Sequence, residues 1–296
     1  MRALIVGCGY VGLPLGAELA RRGHQVFGLR RSALAAAELK SAGIQPLQAD
    51  ITHPDDLARL PRDFDWVVNC TASGGGDAAA YRQIYLEGNR NLLAWLARPP
   101  LKKFVYTSST SVYAQNDGSI VTETSPTEPE APTAQVLVET ENLLRQAAYS
   151  GFPAVILRVA GIYGPARGHW FKAYLRGEAR IEGEGSRILN MIHRDDVIGI
   201  IIAALEKAAP GETLNAVDNE PVTQLKFFEW LATTLNQPLP PRAPADTEVW
   251  RKRGTTNKKI SNAKLHAQLG YAFRYPDFRS GYTAEIQRLA AEHPLT

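Results

Sequence analysis

In the first half of the chain, short apolar runs alternate with longer stretches whose apolar positions recur every three or four residues. Ala3-Leu4-Ile5-Val6 reads as a buried strand, and the segment from Gly12 to Arg22 has helical periodicity. Gln25 to Leu29 predicts a second strand and Ser32 to Ser41 a helix. Ile44 to Asp50 predicts a third strand, Pro54 to Leu60 a helix, and Trp66 to Cys70 a buried fourth strand. After the loop Gly74-Gly75-Gly76, one long helix is expected from about Ala78 to Leu96. Lys103 to Thr107 predicts the fifth strand, Thr133 to Tyr149 a helix, and Ala154 to Arg158 a further strand. Apolar strands alternating with helices imply an α/β chain whose parallel sheet is covered on both faces.

Beyond Pro165 the rhythm changes. Short elements alternate with loops rich in Pro, Gly and charge, notably Gln237 to Thr256. The pattern predicts a dinucleotide-binding core over 1–165 and a smaller, interleaved C-terminal substrate region over 166–296. The helix Asp195 to Lys207 and the strand Thr213 to Val217, near 190–220, are expected to return to the core.

Bulk composition narrows the picture only slightly. The net charge of +3 over 296 residues gives no argument for nucleic acid. No apolar run approaches the ~20 residues of a membrane span, and the glycine-broken N-terminal run reads as a strand rather than a signal peptide. The two cysteines, Cys8 and Cys70, have neither disulfide nor zinc spacing, so no metal is expected and a cytoplasmic setting is the simplest.

Candidate chemistry starts at Gly7-Cys8-Gly9-Tyr10-Val11-Gly12, between the first strand and the first helix. The first glycine permits a tight turn, the second lets backbone approach a diphosphate, and the third packs helix on strand. Pro14 is tolerated in the first helical turn. The context predicts a Rossmann-type doubly wound sheet whose Gly7, Gly9, Tyr10, Val11 and Gly12 cradle a dinucleotide. The second strand ends Leu29-Arg30-Arg31-Ser32, without the acid that would hold ribose hydroxyls. Arg30 and Arg31, helped by Ser32, suit a 2′-phosphate, which favours NADP over NAD; the alternative is two solvated surface arginines. Asp50, before Ile51, is placed either for an adenine amino group or as a helix cap. Thr71 and Ala72 are expected beside the ribose.

Later segments resemble the extended short-chain dehydrogenases/reductases, the NAD-dependent epimerase/dehydratase family. Val105-Tyr106-Thr107-Ser108-Ser109-Thr110-Ser111-Val112-Tyr113 is similar to its strand-end serine motif, and Leu157 to Pro165 to its LR…YGP segment. Asn190 to Val197 is similar to its IHxxD helix start. Leu214 to Asp218 with Glu220 to Thr223, then Lys259 to Leu265 and Leu269-Gly270-Tyr271, follow in family order. The family usually opens T-G-x-x-G-x-x-G, whereas the tighter spacing here looks like an atypical branch.

The resemblance also implies a Tyr-x-x-x-Lys pair on the helix after the serine motif, with the lysine lowering the phenol pKa and the tyrosine exchanging a proton with substrate. Here Thr133 stands at the tyrosine position and Leu137 at the lysine position, and no tyrosine in the sequence has lysine four residues later. Ser109 remains for a substrate hydroxyl or carbonyl, or simply for turn backbone. Tyr113, Tyr163 and His193 are the candidate substitute proton donors, each with a plain packing role as the alternative. Arg251-Lys252-Arg253 with Lys258-Lys259, and separately Arg167 and Arg180, suit an acidic or diphosphate substrate or a solvated surface.

Two function classes follow. One is an oxidoreductase or epimerase/dehydratase acting on a small molecule, a sugar or nucleotide-sugar. The other is a non-catalytic NADP-binding sensor or assembly module. The helices Ala78 to Leu96 and Thr133 to Tyr149 resemble the pair that builds a homodimer interface in the family, or else only cover the sheet.

Overall fold

The computed structural model describes residues 1–97, 101–244 and 256–292. The first half alternates strand and helix: β1 (Arg2–Val6), α1 (Gly12–Arg21), β2 (Gln25–Arg30), α2 (Ala36–Ser41), β3 (Gln45–Gln48), α3 (Pro54–Ala58) and β4 (Trp66–Asn69). A long helix follows as α4 (Ala78–Tyr81), a π-helical stretch over Arg82–Glu87, and α5 (Gly88–Leu96). Next come β5 (Lys103–Ser109), the short β6 (Ile120–Val121), α6 (Pro132–Tyr149) and β7 (Ala154–Val159). The remainder contains β8 (Gly161–Tyr163), α7 (His169–Leu175), β9 (Ile188–Leu189), β10 (Met191–His193), α8 (Arg194–Lys207) and β11 (Thr213–Ala216). It closes with β12 (Val222–Thr223), α9 (Gln224–Leu235), β13 (Lys259–Ile260), α10 (Ala263–Leu269) and α11 (Phe278–Glu292).

Seven parallel strands form the central sheet in the order β11-β7-β5-β4-β1-β2-β3. The α/β doubly wound fold is therefore the one the alternating pattern implies. Strands buried on both faces need continuous apolar runs, and Leu4, Ile5, Val67, Val68, Val105 and Leu157 are fully buried in them. Strand order reverses beside β1, which lies between β2 and β4. A ligand crevice belongs at the carboxyl ends of those strands.

Local differences from the periodicity have physical causes. The helix at 32–41 starts as a 3₁₀ turn over Ala33–Ala35, capped by Ser32, whose Oγ accepts from the Leu34 N–H at 3.2 Å. The third strand is shorter than expected because Asp50 turns the chain: its carboxylate accepts from both the N–H and the hydroxyl of Thr52, at 2.9 and 2.8 Å. The π-helical stretch interrupts what periodicity reads as one α-helix.

Two apolar clusters organise the packing. The larger holds the sheet and its helices. The smaller joins Tyr163, Phe171, Tyr174, Phe227, Phe228, Phe278 and Tyr282 from the later elements. Strand β11 pairs with β7, so the Thr213–Ala216 segment belongs to the main sheet. Among the described residues, no helix is long and apolar enough to cross a membrane.

Candidate functional site

A cleft of about 800 Å³ opens at the strand-order reversal. Its floor is the glycine turn. Gly7 sits at φ +86°, and a Cβ there would lie 2.8 Å from the Thr71 amide nitrogen. A Cβ on Gly12 would run into the Gly7 carbonyl, so this glycine lets helix α1 start directly against the turn. Gly9 differs, because a Cβ there would meet nothing within 4 Å and the residue is exposed. Two glycines thus close the turn and the third leaves an open approach. Helix α1 starts with no side-chain cap; in its first turn the Leu13 N–H donates to the Gly9 carbonyl at 3.0 Å and Pro14 has none, which leaves the Gly12 N–H for a ligand.

The cleft lining includes Gly7, Gly9, Tyr10, Val11, Arg30, Arg31, Asp50, Ile51, Thr71, Ala72 and Ser109. Arg30 braces the turn, its Nη1 donating to the Cys8 carbonyl at 2.6 Å, and lies 3.6 Å from Glu38. Arg31 is largely exposed, with Asp50 at 4.0 Å. Burial alone would raise the Asp50 carboxyl, but Thr52's N–H and hydroxyl, with Arg31, more than offset it and hold it below the usual range. Asp50 does not cap helix α3, which has His53 at its N-cap position. Ser32 borders a smaller depression of about 210 Å³ that Arg30 shares. Cys8 is buried, and burial pushes its thiol up to about 12, so it stays a neutral packing group.

At the other end of the cleft, Ser109 ends β5 and its Oγ accepts from the Ser111 N–H at 3.2 Å. Ser108, also lining the cleft, donates to Glu141 at 2.7 Å. Helix α6 brings Leu137 into the lining, while Thr133 is buried on the same helix. Leu137, at the position where the resemblance leads one to expect lysine, therefore gives the lining an apolar side chain.

Tyr113, Tyr163 and His193 are not among the residues lining this cleft. The Tyr113 hydroxyl is buried, donating to Asn215 Oδ1 and accepting from Arg158, both at 2.8 Å. Tyr163 stacks on Tyr282 with ring centroids 4.2 Å apart, and burial pushes its phenol well up. His193 caps helix α8, its Nδ1 accepting from the Asp195 N–H at 3.1 Å. Burial lowers the His193 pKa and outweighs the nearby Asp195 and Glu285.

Arg167, a candidate for an acidic or diphosphate ligand, lines the cleft after β8, and with it come groups the sequence did not single out: Ile84 and Tyr85 from the π-helical stretch, and His169 and Lys172. The Tyr85 hydroxyl accepts from the Ser73 N–H at 3.2 Å. Asn89, four residues on, donates to the Tyr85 carbonyl at 2.6 Å. Of the basic segment, Arg251, Lys252 and Arg253 lie outside the described residues. Lys258 is buried and donates to the Tyr113 carbonyl at 2.8 Å, and burial lowers its pKa to about 8.

Residues 3–216 match the model of the NAD dependent epimerase/dehydratase family. The chain is 29% identical over 285 residues to Protein YeeZ of Escherichia coli (strain K12), covering 93% of this chain and 97% of that protein. It is 26% identical over 318 residues to the 3-diazoavenalumate denitrifying reductase of a Streptomyces species, covering 96% and 100%. The fold matches that of UDP-glucuronic acid 4-epimerase from Bacillus cereus, solved with UDP-glucuronic acid and NAD. That match has a TM-score of 0.83 at 23% identity and covers 99% of this chain and 100% of that one. The chain belongs to the NAD dependent epimerase/dehydratase family and is an NAD(P)-binding protein of the extended short-chain dehydrogenase/reductase type.

Proposed function

We propose that this NAD dependent epimerase/dehydratase family member is an NADP-dependent oxidoreductase acting on the carbonyl or hydroxyl of a sugar or nucleotide-sugar. The observation that carries the reading is one continuous cleft. It runs from an arginine pair at the β2 tip, across an open glycine cradle, to Ser109 at the end of β5. Bound there, the nicotinamide cofactor supplies hydride chemistry. Gly9, Tyr10 and Val11 would hold its diphosphate, Arg31 with Arg30 its 2′-phosphate, and Asp50 with Ile51 its adenine. Thr71 and Ala72 would border its ribose, and Ser109 would orient the substrate oxygen. The Streptomyces relative, a reductase by name, supports the reaction type, and the Bacillus epimerase complex supports the substrate class.

A second reading, a non-catalytic NADP sensor or assembly module, draws on Leu137 presenting an apolar surface where a lysine is expected. Calorimetric titration with NADP⁺ and NAD⁺, then a carbonyl and nucleotide-sugar panel with NADPH, separates the two. Turnover that falls with Ser109→Ala supports the enzyme. Tight NADP⁺ binding without turnover across the panel favours the sensor, and equal affinity for the two dinucleotides removes the NADP preference. The reading includes a cytoplasmic homodimer formed through the α4–α5 and α6 faces, which light scattering tests: a monomer at high concentration sinks it.

A further inference from the structure

Tyr10, the residue after the exposed glycine of the cradle, holds two guanidinium groups against its ring. Arg167 stands 4.9 Å from the ring centroid and Arg194 5.3 Å. The two cations are not equivalent. Arg194 is neutralised by its neighbour, donating to Asp195 from Nε and Nη2 at 3.0 and 2.9 Å. Among the described residues, no carboxylate pairs with Arg167, and it is exposed in the cleft lining. One arginine is a structural brace; the other is a charge without a counter-ion beside a phosphate cradle.

The loop carrying Arg167 is shaped for that position. Gly164 and Gly168 have φ of +137° and +139°, and Ala166 between them sits at φ +57°, a conformation that costs a non-glycine residue free energy. Gly164 and Arg167 exchange backbone hydrogen bonds at 3.1 and 2.9 Å, and Lys172 Nζ donates to the Ala166 carbonyl at 3.2 Å. A Cβ on Gly164 would stand 3.2 Å from the Tyr10 hydroxyl and 3.0 Å from His193 Nε2, so only glycine lets the loop sit this close to the cradle. The Tyr10 hydroxyl is buried there without a hydrogen-bond partner, and burial raises it to about 12 despite the two arginines. A strained loop held against a buried polar group is kept in place by the packing around it.

We propose that Arg167 is a diphosphate-binding residue: it reaches the dinucleotide from the loop after β8, using the Tyr10 ring as the surface that holds its guanidinium. The planar fork suits two phosphate oxygens, and stacking on an aromatic face restricts the side chain before the ligand arrives. This assigns the loop after β8 a part in cofactor retention, and it rests on the dinucleotide reading of the cleft.

The test measures binding of NADP⁺, or of NAD⁺ if the wild type prefers it, by calorimetry for wild type, Arg167→Ala and the control Arg176→Ala. Arg176 is an exposed arginine paired with Glu178. Arg167→Ala is expected to weaken binding by about ten- to a hundredfold at an unchanged melting temperature, with the control unaffected. A second measurement follows modification of the wild-type arginines by 2,3-butanedione, read by peptide mass spectrometry. Arg167 is expected to be protected by the dinucleotide. An alanine variant that binds within about twofold of wild type, or an Arg167 modified equally fast with and without dinucleotide, overturns the assignment alone. A wild type that binds neither dinucleotide overturns the reading of the cleft, and this assignment with it.

Discussion

Arg158 and Glu141 form a buried ion pair beneath the candidate site, with Nη2 to Oε2 at 2.7 Å and Nε 3.1 Å from both carboxylate oxygens. Arg158 comes from β7 and Glu141 from α6. Ser108 on β5 donates to the same carboxylate and Tyr113 accepts from the same guanidinium. The pair therefore ties strand β5, which ends in Ser109, to the helix that carries Leu137.

Removing Glu141 leaves Arg158 charged in the core without its carboxylate, whereas removing Arg158 leaves Glu141 still paired with Arg145 at 2.6 Å. Glu141→Ala is expected to cost about 3–5 kcal/mol, read by urea unfolding. Replacing both groups, as Glu141→Leu with Arg158→Met, should recover much of that loss. A single variant within about 1 kcal/mol of wild type would mean water reaches the pair.

The cradle glycines should separate stability from binding. Gly7→Ala places a Cβ at φ +86° against Thr71 and is expected to destabilise the fold by about 1–3 kcal/mol from backbone strain alone. Gly9→Ala meets no protein atom, so its melting temperature should not move, yet its methyl occupies the approach to the phosphates. Loss of NADPH binding in a fluorescence titration with an unchanged melt is the expected pattern. Retained binding by Gly9→Ala places the phosphates elsewhere.

Arg31 should carry the proposed NADP preference more cleanly than Arg30, which also braces the turn through Cys8. Arg31→Asp is expected to weaken NADP⁺ by about tenfold or more and leave NAD⁺ nearly unchanged. Arg30→Asp should weaken both, because the brace is lost as well. Parallel calorimetric titrations decide, and an unchanged ratio for Arg31→Asp removes that residue from recognition.

Asp218 offers a pH test. It is almost fully buried, its Oδ2 has no hydrogen-bond partner, and its Oδ1 accepts from the Glu220 N–H at 3.2 Å. Burial raises its pKa well above the ordinary value, helped by Asp277, Glu220 and Asp196 and opposed by the Glu220 N–H. The native state therefore holds a proton that the unfolded chain releases near pH 4 (roughly). That contribution is complete below the unfolded pKa and is lost as pH rises through the folded value. Asp218→Asn should remove the loss and stabilise the protein at neutral pH by about 1–3 kcal/mol. Urea unfolding of both forms across that range checks it; parallel stability curves would refute it.

The strands and their helices were legible because burial on both faces forces continuous apolar runs. The glycine turn was legible because close backbone approach at Gly7 and Gly12 admits only glycine. The candidate proton donors were not. A 3₁₀ turn over Thr110–Val112 separates β5 from Tyr113, whose hydroxyl bonds to Asn215. Strand β8 pairs with β10 outside the main sheet, and its Tyr163 stacks in the smaller apolar cluster. His193 was singled out for its motif, yet it spends its ring nitrogen on capping α8. Conversely, Tyr85 reads as one more amphipathic-helix residue until the π-helical stretch and the neighbouring packing set it in the cleft.

The sequence by itself determined the fold class and the glycine turn between β1 and α1, since both follow from steric and burial constraints that act on neighbouring residues. Only the tertiary structure decided which side chains share the cleft. Tyr10 meets Arg167 across more than 150 residues of chain, and Ser109, Leu137 and Tyr85 line one cleft from separate elements. Such meetings depend on how the elements pack, and no local period or motif encodes them.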